Sequence, residues 1–216
     1  MRLPNTLLIG AMKAGTTSLY MDLVEHPDVA LVDDKEPHAL CDDDVLQTSG
    51  REKYARIYAG AGEKILIDAS TGYSKRPDEP GVAERAVRVL PEDFRVIYLV
   101  REPVSRIISQ HYHEYSIGRA AKEIDRAVRT EPRYLNYSRY AYQLEPWIES
   151  VGKERILVIR FEDYTNCRQE TVERVWEFLG LQGAGPQIDA DRVYNKSQGK
   201  PVRNKFWSLI YNNSFY

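Results

Sequence analysis

Thr6-Leu-Leu-Ile-Gly10-Ala-Met-Lys13-Ala-Gly15-Thr16-Thr17-Ser18-Leu19 is the stretch that decides the fold. Its opening run, Thr6–Ile9, is short and apolar in the manner of a buried parallel strand. Glycines at 10 and 15 then punctuate the chain, and a helical pattern runs from Thr16 to Glu25. A glycine-rich strand-to-helix turn presents backbone N–H groups and a helix N-terminus to an anion. Thr16 and Thr17 add hydroxyl donors, with Ala14 and Ser18 beside them. A nucleoside triphosphate loop reads G-x-x-x-x-G-K-[ST]. The glycine spacing agrees with that pattern, but Thr16 stands at the lysine position and the lysine is Lys13, inside the loop. A lysine there is suited to the bridging oxygen of a phosphate anhydride rather than to a terminal phosphate. The bland alternative is a turn that merely caps a helix.

Similar apolar runs fall at Ile65–Ala69, Arg95–Val100 and Arg155–Arg160, each bounded by glycine, proline or charge. Helical patterns cover Gly81–Leu90, Pro103–Ser116, Asn136–Val151 and Asn166–Leu179. Strands alternating with helices predict an α/β fold: a central parallel sheet flanked by helices, with ligands at the carboxyl ends of the strands. A length of 216 residues suits a single domain spanning 1–216. The formal net charge of -2 excludes a global basic field for nucleic acid or membrane, so any anion site must be local. Cys41 and Cys167 form neither a CxxC pair nor a disulfide framework, and a reducing, cytoplasmic setting is expected. No apolar run is long enough to span a bilayer, and the one following Arg2 is too short for a signal peptide.

A second anchor follows the third strand, in Arg101-Glu-Pro103-Val-Ser-Arg106-Ile-Ile-Ser109. Arg101 sits at the strand end, Pro103 suits a first helical turn, and Ser109 lies two turns in. An arginine fork with a hydroxyl suits a second phosphate; a helix cap with a surface arginine is the alternative. Two anion sites on adjacent strand ends favour a nucleotide with phosphates at both ends of its ribose.

Together these motifs resemble the sulfotransferases that use PAPS (3′-phosphoadenosine-5′-phosphosulfate) and release PAP, closest in motif to the carbohydrate (heparan sulfate-type) and bacterial enzymes. Lys13 to Leu19 is similar to that family's 5′-phosphosulfate loop, and Arg101 to Ser109 to its 3′-phosphate motif. The resemblance implies that Lys13, Ala14, Gly15, Thr16, Thr17 and Ser18 hold the 5′-phosphosulfate, and that Arg101 and Ser109 hold the 3′-phosphate. Tyr194 to Lys200 resembles a late loop that folds over the nucleotide, which implies roles for Lys196, Ser197, Gly199 and Lys200. Tyr140 to Tyr164, with Trp147 and Phe161-Glu-Asp, follows the carbohydrate-acting branch.

Sulfuryl transfer needs an in-line acceptor, a base for its proton and stabilisation of the leaving phosphate. Lys13 supplies the charge. Glu36-Pro-His38 resembles a Glu-x-His element of the glycan-modifying enzymes, which implies Glu36 as base and His38 as an assisting group. By residue chemistry alone, Glu36 is one acid among Asp33, Asp34 and Asp42–Asp44. Ala69 departs from a position that often carries lysine in the animal heparan sulfate enzymes, so acceptor recognition is expected to differ. After Lys200 only an aromatic tail remains, which fits a compact bacterial-type enzyme or a truncated chain. The competing classes are a P-loop kinase of small molecules, against which the displaced lysine argues, and a non-catalytic nucleotide-binding protein. No metal is expected, because His26, His38, His111 and His113 form no ligand spacing with the cysteines. The acceptor class expected is a carbohydrate or small metabolite.

Overall fold

The structure, a computed structural model, describes residues 2–181, 185–189 and 192. Four strands form its sheet: β1 (Thr6–Leu8), β2 (Ile67–Asp68), β3 (Arg95–Val100) and β4 (Ile156–Arg160). All pairings are parallel and the order is β2-β1-β3-β4. The register sets Thr6 beside Ile67 on one side and beside Arg95 on the other. The chain therefore leaves β1 toward one edge for β2 and returns to the other side for β3. That reversal makes the carboxyl ends of β1 and β3 the topological switch point, where open α/β sheets take their ligands.

The sheet reads as apolar because both faces are covered. Leu7, Leu8, Val96, Ile97 and Leu99 are wholly buried. On the edge strand β4, Leu157 and Ile159 point inward while Val158 and Arg160 face out. Truncating one of the central leucines to alanine would cost about 2–5 kcal/mol. β2 is shorter than the expected Ile65–Ala69. Ile65 pairs instead with Val29, donating to the Asp28 carbonyl at 2.7 Å and accepting from the Ala30 N–H at 2.9 Å.

Helix α1 (Thr16–Leu23) follows β1, and α2 (Thr48–Arg56) and α3 (Val82–Val89) flank β2 in sequence. Next come α4 (Pro103–Ser116), α5 (Ile124–Thr130), α6 (Arg133–Asn136) and α7 (Tyr140–Val151). α8 (Phe161–Asn166) and α9 (Arg168–Phe178) follow β4. The helix expected over Asn136–Val151 begins only at Tyr140, Asn136 being the last residue of α6, and that expected over Asn166–Leu179 begins at Arg168. α4 starts firmly because the Glu102 carboxylate accepts from the N–H groups of Val104 (3.0 Å) and Ser105 (2.7 Å), with Pro103 in the first turn. α4, α5 and α6 close a second, smaller apolar cluster around Ile107, Val128 and Tyr134. No helix among the described residues is long and apolar enough to cross a membrane.

Candidate active site

The phosphate-loop segment begins as a continuation of β1. Leu99 N–H donates to the Gly10 carbonyl at 2.8 Å, and Ala11 N–H to the Leu99 carbonyl at 2.6 Å. Ala14 N–H then closes a turn on the Ala11 carbonyl at 3.0 Å. Lys13 sits at φ 68°, a left-handed conformation that a non-glycine residue holds only where its surroundings impose it. Gly15 caps α1 at φ 94°, and a Cβ there would lie 2.7 Å from the Phe161 ring. No side chain caps the first turn of α1, so the backbone N–H groups of Thr16, Thr17 and Ser18 stay available to an anion.

The second anchor meets the first. Arg101 Nη1 donates to the Lys13 carbonyl at 3.1 Å, and its guanidinium lies over the Phe161 ring, 4.7 Å from the centroid. Tyr140 Oη donates to the Arg101 carbonyl at 2.6 Å, fixing the strand end. Most of the fork's five donors remain for a ligand. One helical turn on, the wholly buried Arg106 spans the Ser138 hydroxyl (2.7 Å), Gln110 Oε1 (2.8 Å) and the carbonyls of Tyr134 (2.8 Å) and Met12 (3.4 Å). It is a brace for the loop and takes no ligand. Ser109 is buried in the interior of α4. Of the two histidines on α4, His111 is buried with Nε2 2.8 Å from the Ala121 carbonyl. His113 is half-buried, and burial, then the charge of Lys13, lowers its pKa. It therefore sits within electrostatic reach of the loop.

Glu36 lies on the other side of β1. Lys35 Nζ donates to its Oε1 at 2.6 Å; Thr71 donates to Oε2 through its hydroxyl at 2.9 Å and its N–H at 3.3 Å. His38 Nε2 stands 3.5 Å from Oε2. A carboxylate has about four lone-pair sites, so these three donors leave about one for an acceptor hydroxyl. Burial acts to raise the Glu36 pKa, but the Lys35 charge and the bonds from Lys35 and Thr71 outweigh it and hold the carboxyl below its usual range. Lys35 Nζ also donates to the Ala69 carbonyl at 3.1 Å. At the position where a lysine was expected by resemblance, the alanine thus carries an ammonium brought from the neighbouring loop.

One short 3-10 turn, Thr71–Ser74, joins the two halves. Its first residue holds Glu36. At its last, the Ser74 hydroxyl donates to the Ile9 carbonyl at 2.7 Å and packs where a Cβ on Gly10 would fall, 2.2 Å away. The structure thus brings Lys13 to Arg101 and Glu36 to His38, and ties the pairs through this turn. Lys196, Ser197, Gly199 and Lys200 lie outside the described residues. Lys35, Thr71, Ser74, Phe161 and His113 were not legible as site residues. Their signal is contact between distant segments, apart from His113, whose one-turn spacing from Ser109 puts it on the same helix face. Among the described residues no group of three or more His, Cys, Asp and Glu side chains could hold a metal ion.

A glycine-rich loop and an arginine fork at the switch point of a four-stranded parallel sheet flanked by helices define an α/β protein of the P-loop-like fold. The chain belongs to the sulfotransferase domain family, whose model matches residues 3–212. It is 27% identical over 220 residues to heparan sulfate glucosamine 3-O-sulfotransferase 3A1 of Mus musculus, covering 94% of this chain and 52% of that protein. It is 23% identical over 246 residues to carbohydrate sulfotransferase 15 of Mus musculus, covering 83% of this chain and 44% of that one. The chain thus spans about half the length of the curated relatives it matches. Among solved structures, a sulfotransferase from Alicyclobacillus acidocaldarius aligns with a TM-score of 0.79 at 24% identity, over 90% of this chain and 87% of that one. That likeness shows the fold.

Proposed function

We propose that this protein transfers the sulfuryl group of PAPS to a hydroxyl or amine of a carbohydrate or small-metabolite acceptor, releasing PAP. The observation that carries the reading is the hydrogen bond from Arg101 to the Lys13 carbonyl, which makes the two anion readers one unit at the switch point. Lys13 and the first-turn amides of α1 receive the 5′-phosphosulfate; Arg101 and Ser109 receive the 3′-phosphate. Lys13 offsets charge on the leaving phosphate. Glu36, ionised and with one lone-pair site open, takes the acceptor's proton, and His38 orients the acceptor beside it. The cytoplasmic setting expected from the cysteines belongs to the same proposal.

Thermal denaturation with PAP and with ATP tests the donor. At about one hundred times its dissociation constant, PAP should stabilise the fold by about 2.7 kcal/mol. For a domain of this size that is a rise in Tm of about 5–11 °C. Greater stabilisation by ATP would favour a kinase. Transfer from labelled PAPS across a panel of neutral, anionic and amine-bearing acceptors then assigns the acceptor class.

A further inference from the structure

A second carboxylate, Asp68, lies close to the Glu36 loop without a role in the proposed transfer. Asp68, the last residue of β2, is wholly buried beneath the loop that carries Glu36. Its Oδ2 accepts from the hydroxyls of Tyr54 (2.5 Å) and Tyr73 (2.6 Å), and its Oδ1 accepts from the Ser70 hydroxyl (2.6 Å). These partners are neutral hydroxyls. Burying a carboxylate against neutral donors alone is unfavourable unless the geometry repays it. Burial raises the Asp68 pKa, while the bonds from Ser70, Tyr54 and Tyr73 and the more distant His38 act to lower it.

Two of the three hydroxyls perform a second task. Ser70 Oγ accepts from the His38 N–H at 3.0 Å, and Tyr73 Oη accepts from the Leu40 N–H at 3.2 Å. A hydroxyl has one proton. With that proton given to Asp68, the oxygen turns its lone pairs to the loop, so the carboxylate keeps both hydroxyls oriented as acceptors for the two amides. They hold a turn that needs holding: His38 sits at φ 52°, ψ 21°, in the left-handed region. The third hydroxyl, that of Tyr54 on α2, makes no bond to this loop. Beside these, the Ala69 N–H donates to the Lys35 carbonyl at 3.1 Å, and Thr71 holds Glu36.

We propose that Asp68 is a positioning residue for the transfer reaction: through Ser70 and Tyr73 it fixes the backbone of residues 38–40 and so aims Glu36 and His38 at the acceptor. The proposal rests on Glu36 as the base. Asp68 touches no reacting atom. Asn at this position keeps the shape but presents an amide donor to one or more of the hydroxyls. A hydroxyl so faced no longer has an acceptor for its proton at residue 68; the proton must find another place around the oxygen, and the bond from the N–H of His38 or Leu40 weakens. Around Asp68 the titratable groups are Tyr54, Tyr58, Tyr73 and, farther off, Tyr20 and His38; Glu36 faces Lys35 and His38.

The test uses the full chain and three readouts: with PAP, amide hydrogen exchange at His38 and Leu40 and carbon-13 titration of the Glu36 carboxyl; with PAPS and a working acceptor, single-turnover transfer. In Asp68→Asn, protection of the two amides should fall about tenfold or more. The Glu36 carboxyl should titrate at higher pH as its bonds from Thr71 loosen. Transfer should slow by about 10- to 100-fold, with PAP affinity little changed. Ser70→Ala should reproduce part of this, whereas Tyr54→Phe should lower stability without exposing the two amides. Unchanged amides and an unchanged Glu36 titration in Asp68→Asn would overturn the proposal. So would equal loss of transfer in Tyr54→Phe and Ser70→Ala, which would make Asp68 a support of the fold alone. Should Asp68→Asn not fold, the contrast between Ser70→Ala and Tyr54→Phe decides. Failure of the unaltered chain to bind PAP would instead strike the donor assignment, and the amide and carboxyl readouts in the free protein would still answer for Asp68.

Discussion

The guanidinium of Arg101 donates to the carbonyl oxygen of Lys13 at 3.1 Å while lying over the ring of Phe161. A residue assigned to one phosphate thereby shapes the loop assigned to the other. Arg101→Ala should weaken PAP binding by about 1.5–3 kcal/mol through loss of a charge-assisted fork. Adenosine 5′-phosphosulfate, which lacks the 3′-phosphate, should lose less, and what it does lose measures the support given to Lys13. Calorimetry with both ligands separates the two contributions. Equal losses would mean that Arg101 does not read the 3′-phosphate.

Glu36→Gln should bind PAP normally and transfer about 10²–10⁴-fold more slowly. Glutamine keeps the bond from Thr71 but cannot take the acceptor's proton. Single-turnover transfer at saturating donor is the measurement. Near-normal transfer here, with collapse in His38→Ala, would give the base role to the histidine.

The pH profile follows from Lys35. Burial raises the Glu36 pKa, yet the Lys35 charge and the bonds from Lys35 and Thr71 bring it below the ordinary value. A carboxylate acting as the proposed base must be ionised, so activity should be lost only as pH falls through that depressed value. Lys35→Met should move the acid limb of kcat/KM to higher pH. Stability follows the same sign. A depressed folded pKa contributes stability that is present above the unfolded value and is lost as pH falls through the folded one. Lys35→Met should shrink that contribution. A limb that stays in place would separate Glu36 from the proton transfer.

Gly15 should tolerate no side chain. A Cβ would stand 2.7 Å from Phe161, on a residue at φ 94°. Gly15→Ala should cost about 1–3 kcal/mol in denaturant unfolding and reduce PAP affinity. Adding Phe161→Ala removes the clash and keeps the dihedral strain, so stability should recover in part. Affinity should not recover, because Arg101 then has no ring beneath it.

The strands and the two anion anchors were legible because each is local. A short apolar run announces β1 and β3, buried on both faces, and the edge strand β4, buried on one, and the loop carries its glycines with it. α2 was not legible: Thr48–Arg56 is mostly polar and buries only Tyr54 and Ala55. Lys35 and Thr71 were hidden for another reason. Thr71 meets Glu36 across 35 positions of chain, and Ser74 meets Ile9 across 65. No periodicity reports a pairing between two loops. Glu36 itself stood among five nearby aspartates, and only its likeness to a known element singled it out. The two histidines on α4 are spaced by two and so point different ways on a helix; that His111 is the buried one and His113 the one that feels Lys13 required the fold.

The turn Thr71–Ser74 grips Glu36 at one end and the strand running into the phosphate loop at the other. Exchange of parts between relatives must respect that grip. A chimera that imports a foreign base loop at residues 33–41 but keeps the native turn would mismatch every bond between them. The transplantable cassette is therefore both segments together, with Asp68 at its root. Redesign of acceptor preference by swapping the surface loop alone should yield proteins that still bind nucleotide and transfer nothing.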